Sequence, residues 1–196
     1  MIKYASQYKV TEETLHEKTA EMINAAIFYT AAAQHPPHHV KFDFYYMHCV
    51  NCSIFFPMLL SQPWLSTPAK IRLLEWKSWT DLAMYASRRS PPLLLNEIAT
   101  YTPTSGKLAS WEEVFDKARE FEDDGHTSKL VRAIAHGEKV CKEFEGKDGF
   151  PVKGDMWQRL GNMVMDSVPV GDSNWVRSAG FEEAWENVPL REGARL

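Results

Sequence analysis

The chain has 196 residues, with 22 Lys and Arg against 26 Asp and Glu and a formal charge of -4, so it forms one domain with a buried core or at most two small ones, and a multidomain machine is excluded. The acidic balance argues against nucleic-acid or anionic-membrane partners, both of which reward clustered positive charge. At 44% hydrophobic and 24% charged residues it has the composition of a globular protein and is too apolar for a disordered one.

In chain order, Leu15, Met22, Ile23, Ala26, Ile27 and Thr30 recur at three- and four-residue spacing. With Thr11 placed to cap and Glu12 and Glu13 in the first turn, they predict an amphipathic helix over 11–33. His35, Pro36 and Pro37 end it, because proline has no amide proton and restricts its predecessor. A second helix is expected over about 39–60, apolar on nearly every side and therefore the central, most buried element. Ser66, Thr67 and Pro68 open a third, running to about Arg89 and stopped by Pro91 and Pro92. A short helix over 93–101 follows, then a polar loop over 102–109.

Ser110 with Glu113 is a capping-box spacing that starts a helix through Phe121. Gly125 separates it from a helix over 127–144, in which Leu130, Ile134 and Val140 repeat. Residues 146–149 form a flexible connection, Asp155 is placed to cap a helix over 156–168, and 181–185 add a short amphipathic turn. No run alternates long enough for a strand. The reading is an all-α single helical domain over 1–196, of about seven helices around a buried central helix.

Three cysteines, Cys49, Cys52 and Cys141, follow no disulfide-scaffold spacing, so reduced thiols in a cytoplasmic protein are expected. The first residues lack the apolar stretch of a secretory signal. The most apolar segment, 42–60, is interrupted by Asp43, His48, Asn51 and Ser53, so it reads as a core helix and not as a membrane span, which needs roughly 20 mostly apolar residues. Aromatic residues make up 12% of the chain, including seven Trp; large rings line cores, and also pockets for flat ligands.

The absences are informative. No Gly-x-Gly-x-x-Gly follows a strand and no phosphate-binding Gly-x-x-x-x-Gly-Lys run occurs, which argues against a self-contained nicotinamide, flavin or nucleotide fold. No Gly-x-Ser-x-Gly elbow is present either.

The densest chemistry lies between His35 and Cys52. On a helix His48 shares a face with Cys52 and Phe44, and a buried imidazole binds metal or moves protons near neutral pH; the alternative is a core histidine satisfied by a backbone carbonyl. Cys49 and Cys52 have a Cys-x-x-Cys spacing without a second pair, two ligands short of a structural zinc site. Lys77 and Asp81, four residues apart, form either a helical ion pair or a desolvated lysine whose neutral amine acts as a base or takes up carbon dioxide as a metal-ligating carbamate. At 121–126, Asp123 or Glu122 either orients His126 as a ligand or caps the following helix.

Several runs carry a resemblance: His-His-Val-Lys-Phe-Asp-Phe-Tyr-Tyr-Met-His over 38–48, Leu-Leu-Glu-Trp-Lys over 73–77, Asp-Leu-Ala-Met-Tyr-Ala-Ser-Arg-Arg over 81–89, Phe-Glu-Asp-Asp-Gly-His over 121–126, Lys-Gly-Asp-Met-Trp over 153–157 and Trp-Val-Arg-Ser-Ala-Gly-Phe over 175–181. In this order they resemble the fungal questin oxidase family, in its C-terminal half, from Tyr4 onward. The resemblance implies an NADPH-dependent, Baeyer–Villiger-type oxygenase that opens an anthraquinone-like ring with dioxygen in polyketide secondary metabolism. A non-haem iron would reconcile that chemistry with the missing flavin fold.

The expected site lies between the 39–60 helix and the helix from Pro68. His48 and Asp81 are its catalytic candidates; Tyr45, Cys52 and Trp76 bind a small aromatic polyketide; His48, His126 and a modified Lys77 face metal. The alternative is a truncated, non-catalytic helical interaction module that associates with itself or with a separate N-terminal half.

Overall fold

Leu15–Ala32 forms the helix α2, whose inward side is built from Ala20, Ala26, Ala31 and Ala32 between Met22, Ile23 and Ile27. Small side chains let neighbouring helices approach closely, and α2 becomes the element around which the others pack. The structure is a computed structural model that describes residues 2–192. Its remaining helices are α1 (Ile2–Ala5), α3 (Phe44–Ser53), α4 (Phe56–Leu60), α5 (Thr67–Ser87), α6 (Leu95–Ala99), α7 (Trp111–Glu120), α8 (His126–Cys141) and α9 (Met156–Ser167). No strand occurs among the described residues. Two isolated bridges, His38 with Leu190 and Asp43 with Val176, are the extended pairings.

Helix α2 packs against α3, α5, α6 and α8, while α7, α8 and α9 form a second group against one another. The two groups meet closely at Gly137 of α8, where a Cβ would stand 2.5 Å from Ile27 Cδ1. The buried central helix is thus α2. The 39–60 segment, expected to fill that place, is divided in two.

Its division has two local causes. At the front, Asp43 caps α3, accepting from the amides of Tyr45 (2.7 Å) and Tyr46 (3.1 Å), so 39–43 stays extended. There Phe42 O accepts from Val176 N, and Val176 O from Phe44 N. At the back, Pro57 lies in the first turn of α4; it has no amide proton to continue the α3 ladder, and α3 ends at Ser53.

Other boundaries follow their signals. Ser110 and Glu113 complete the reciprocal capping box of α7, and Pro68 lies in the first turn of α5. Three expected caps do not form, and at α5 Ser66 makes no side-chain bond to the first turn. Thr11 bonds with Thr14 ahead of the helix, which begins at Leu15, and Asp155 turns to Arg159 instead of to the amides of α9. After α9 the chain runs irregularly along residues 37–44, anchored by the buried Trp185, whose indole donates to Ala179 O at 2.8 Å. Among the described residues no helix is long and apolar enough to cross a membrane.

Candidate functional site

Helix α5 buries only Leu74, Lys77, Ser78 and Asp81, a stripe at three- and four-residue spacing of which three members are polar. An inward polar stripe on a long helix is unusual, since buried polar groups need partners. Lys77 and Asp81 supply each other's: their side chains form a buried i, i+4 ion pair. Behind Asp81 stands Cys49 of α3. Burial first, and the Asp81 charge second, push its thiol up to about 12. Burial also raises Asp81 above its ordinary value, with Lys77 opposing.

In front of this pair is a cavity of about 270 Å³ between α2 and α5. Met22, Ala26, Phe28, Leu82 and Leu93 give it an apolar lining; Asp81, Ser78, Tyr29 and, from its ion pair with Lys18, Glu21 are among its polar points. Tyr29 OH and Ser78 Oγ are buried and reach no partner at hydrogen-bonding geometry, although Tyr29 faces the Cys49 thiol and Ser78 faces Tyr8. An apolar slot with a few convergent polar groups is the form of a small-molecule site.

The imidazoles lie elsewhere. His48 is exposed on α3, its Nδ1 2.7 Å from Phe44 O, and its ring centroid is 5.2 Å from that of His126 at the start of α8. Phe44 contacts both rings, at 4.7 and 5.1 Å. His126 Nδ1 is engaged by Asp124, not by Asp123 or Glu122. Asp123 instead caps α8, accepting from Thr127 N at 2.8 Å and Thr127 Oγ1 at 2.7 Å. Of the two alternatives read from this acidic run, the cap is the one that Asp123 fills, and the imidazole takes Asp124, which the sequence reading had not named.

The structure brings together His48 with His126 and Lys77 with Asp81. Lys77 is engaged by Asp81 rather than by the imidazoles. Tyr45 carries the Arg88 guanidinium on its ring at 4.1 Å, Cys52 is exposed, and Trp76 is 53% exposed with Arg72 beside it. Of the expected site residues only Asp81 lines the cavity. Tyr29, Ser78 and Tyr85 line it too and escaped the sequence reading; the signal for Ser78 was its place between Lys77 and Asp81 on one helix face.

Both imidazoles have Nδ1 engaged by an oxygen, which is how a metal-bound histidine is commonly oriented. Two ligands are too few for a non-haem iron, which takes at least three from the protein, and no group of three or more His, Cys, Asp or Glu gathers among the described residues. The residues present do not make an iron site.

Residues 1–134 match a family model described as questin oxidase-like. The chain belongs to the questin oxidase-like family. Among relatives, it is 40% identical over 195 residues to a Baeyer-Villiger oxidase of Pestalotiopsis microspora, covering 96% of this chain and 43% of that protein. It is 41% identical over 195 residues to a Baeyer-Villiger oxidase of Emericella nidulans, covering 97% and 44%. With the questin oxidase of Aspergillus fumigatus it shares 37% identity over 191 residues, 94% of this chain and 42% of that one. The chain thus spans less than half the length of these questin oxidase-like relatives, and its match to them runs through both the cavity and the imidazole pair.

Proposed function

We propose that this chain carries part of an oxidoreductase of fungal secondary metabolism, and that the cavity between α2 and α5 holds the reacting ring of a flat aromatic polyketide. The names of the relatives support a Baeyer–Villiger reaction. In it a ketone, dioxygen, two electrons and two protons give an ester and water, with one oxygen atom inserted beside the carbonyl. NADPH, implied by the resemblance, would deliver the electrons as a transient donor.

The observation that carries this reading is Asp81, buried and paired with Lys77, at the wall of an apolar cavity. Burial raises Asp81 above an ordinary carboxylate while Lys77 opposes it, which suits a pair that shares a proton and passes it to a substrate carbonyl oxygen. Tyr29 OH and Ser78 Oγ would orient the ring's oxygen substituents, and the apolar walls would exclude water from the reacting carbon.

The test is anthraquinone binding by the purified chain, followed by NADPH-dependent turnover with product mass as readout. Asp81→Asn should keep binding and lower turnover by about 10²- to 10⁴-fold. Ala26→Phe, which fills the cavity, should abolish binding while helicity persists. Unchanged turnover in the first variant, or unchanged binding in the second, overturns the assignment.

A second reading has its own observation. Phe55, Met58, Trp64 and Trp76 lie 50%, 61%, 73% and 53% exposed on and beside α4 and α5, and large exposed apolar side chains mark interaction surfaces. In the interaction-module reading the chain self-associates through them, and sedimentation should show dimers that Trp64→Glu and Met58→Glu dissolve.

A further inference from the structure

A second chemically distinct place lies where residues 37–44 meet the segment after α9. Lys41 is 1% exposed, yet no carboxylate among the described residues lies within ion-pair distance of it. Its Nζ donates to Ser167 O at 2.7 Å and Ser173 O at 2.6 Å. Those bonds use two of an ammonium's three protons, and the third has no acceptor among the described residues. A buried ammonium held only by carbonyl dipoles keeps an uncompensated charge, which burial disfavours strongly.

Lys41 also borders a cleft of about 240 Å³, lined by Arg177, Trp175, Asn187, Ser173 and Val188 among others. Its charged lining residues are both cations. Arg177 forms no salt bridge among the described residues, and its guanidinium rests on the Phe44 ring, 4.8 Å from the centroid. Stacking on one face leaves the edge N–H groups free to hold an oxyanion, the geometry in which guanidinium excels. At roughly 30 Å³ for each water, the cleft has room for a tetrahedral oxyanion and several waters.

We propose that this cleft binds the oxyanion group, phosphate or carboxylate, of a small-molecule ligand, with Lys41 at its floor and Arg177 at its wall. The anion supplies the counter-charge that Lys41 lacks, and Trp175 and Asn187 contact whatever part of the ligand bears it. The inference is independent of the polyketide reading, because it uses neither the α2–α5 cavity nor Asp81. A lysine that served only to cap the carbonyl end of α9 would not need a second cation beside the cleft.

The experiment is thermal unfolding of the whole chain at constant ionic strength, with chloride replaced stepwise by inorganic phosphate or, separately, by acetate, in the low-millimolar range. A saturable rise of several degrees with phosphate supports a phosphoryl group, and a saturable rise with acetate alone supports a carboxylate. Arg177→Gln should weaken the apparent affinity about tenfold, as loss of a charged hydrogen bond does, while its melting temperature in chloride stays within a degree or two of the parent's. Lys41→Gln should abolish the response in the fraction that folds, and Arg177→Gln decides independently of that variant's stability. No saturable rise with either anion, or an identical response in Arg177→Gln, overturns the proposal.

Discussion

Asp81 sits on the one stripe of α5 that faces inward, where its carboxylate would be untenable without Lys77 four residues earlier. Removing one partner leaves the other charge buried. Lys77→Met is therefore expected to destabilise by about 3–5 kcal/mol, whereas Lys77→Met with Asp81→Leu is expected near the parent's stability. Urea unfolding of the two singles and the double measures the coupling, and additive effects would mean that the pair is not an energetic unit. Cys49, against the same carboxylate, differs from Cys52 in the same way that the interior differs from the surface. Its folded-state thiol lies near 12 against an ordinary 9.0, so the fold favours the protonated form, fully below pH 9 and progressively less as pH climbs toward 12. Iodoacetamide at pH 8 should alkylate Cys52 alone in the native chain, as mass spectrometry of peptides would show, and destabilisation through Cys49 should set in only above pH 9.

The elements teach a different lesson at 39–60. Apolar residues on every side of that segment were consistent with a single buried helix, yet the chain uses Asp43 as a cap and Pro57 as a break. Both signals are in the sequence. What hid them was the tertiary reason for the extended start: residues 39–43 pair with 176 and 189, more than 130 positions away. The converse holds at α2, where alanines that looked unremarkable make the centre by letting α3, α5, α6 and α8 approach. Gly137 of α8 stands at one of these approaches. Gly137→Ala forces its methyl toward Ile27 and Trp157, and about 1–3 kcal/mol of stability should be lost despite the higher helix propensity of alanine; a stabilised variant would show that α8 shifts freely.

For the whole molecule, the segment after α9 acts as a clasp. Among the described residues it has a single 3₁₀ turn, Glu182–Ala184, and is fixed by Trp185, by the amide bonds to 39–44 and by Lys41. Trp185→Ala should cost about 3–5 kcal/mol. The urea midpoint should fall with the slope unchanged if the clasp unfolds together with the helices; a separate early transition would show an independent unit. The all-α class, the positions of α2, α5, α7, α8 and α9, the capping box and the Lys77–Asp81 spacing are legible in the chain alone, because periodicity, caps and i, i+4 neighbours are local properties. Only the tertiary structure decided which helix is central, that the imidazoles pair with each other and not with Lys77, and that a polar-pointed cavity opens beside Asp81. Those outcomes depend on which faces meet, and contacts between residues far apart in sequence leave no local periodicity to read.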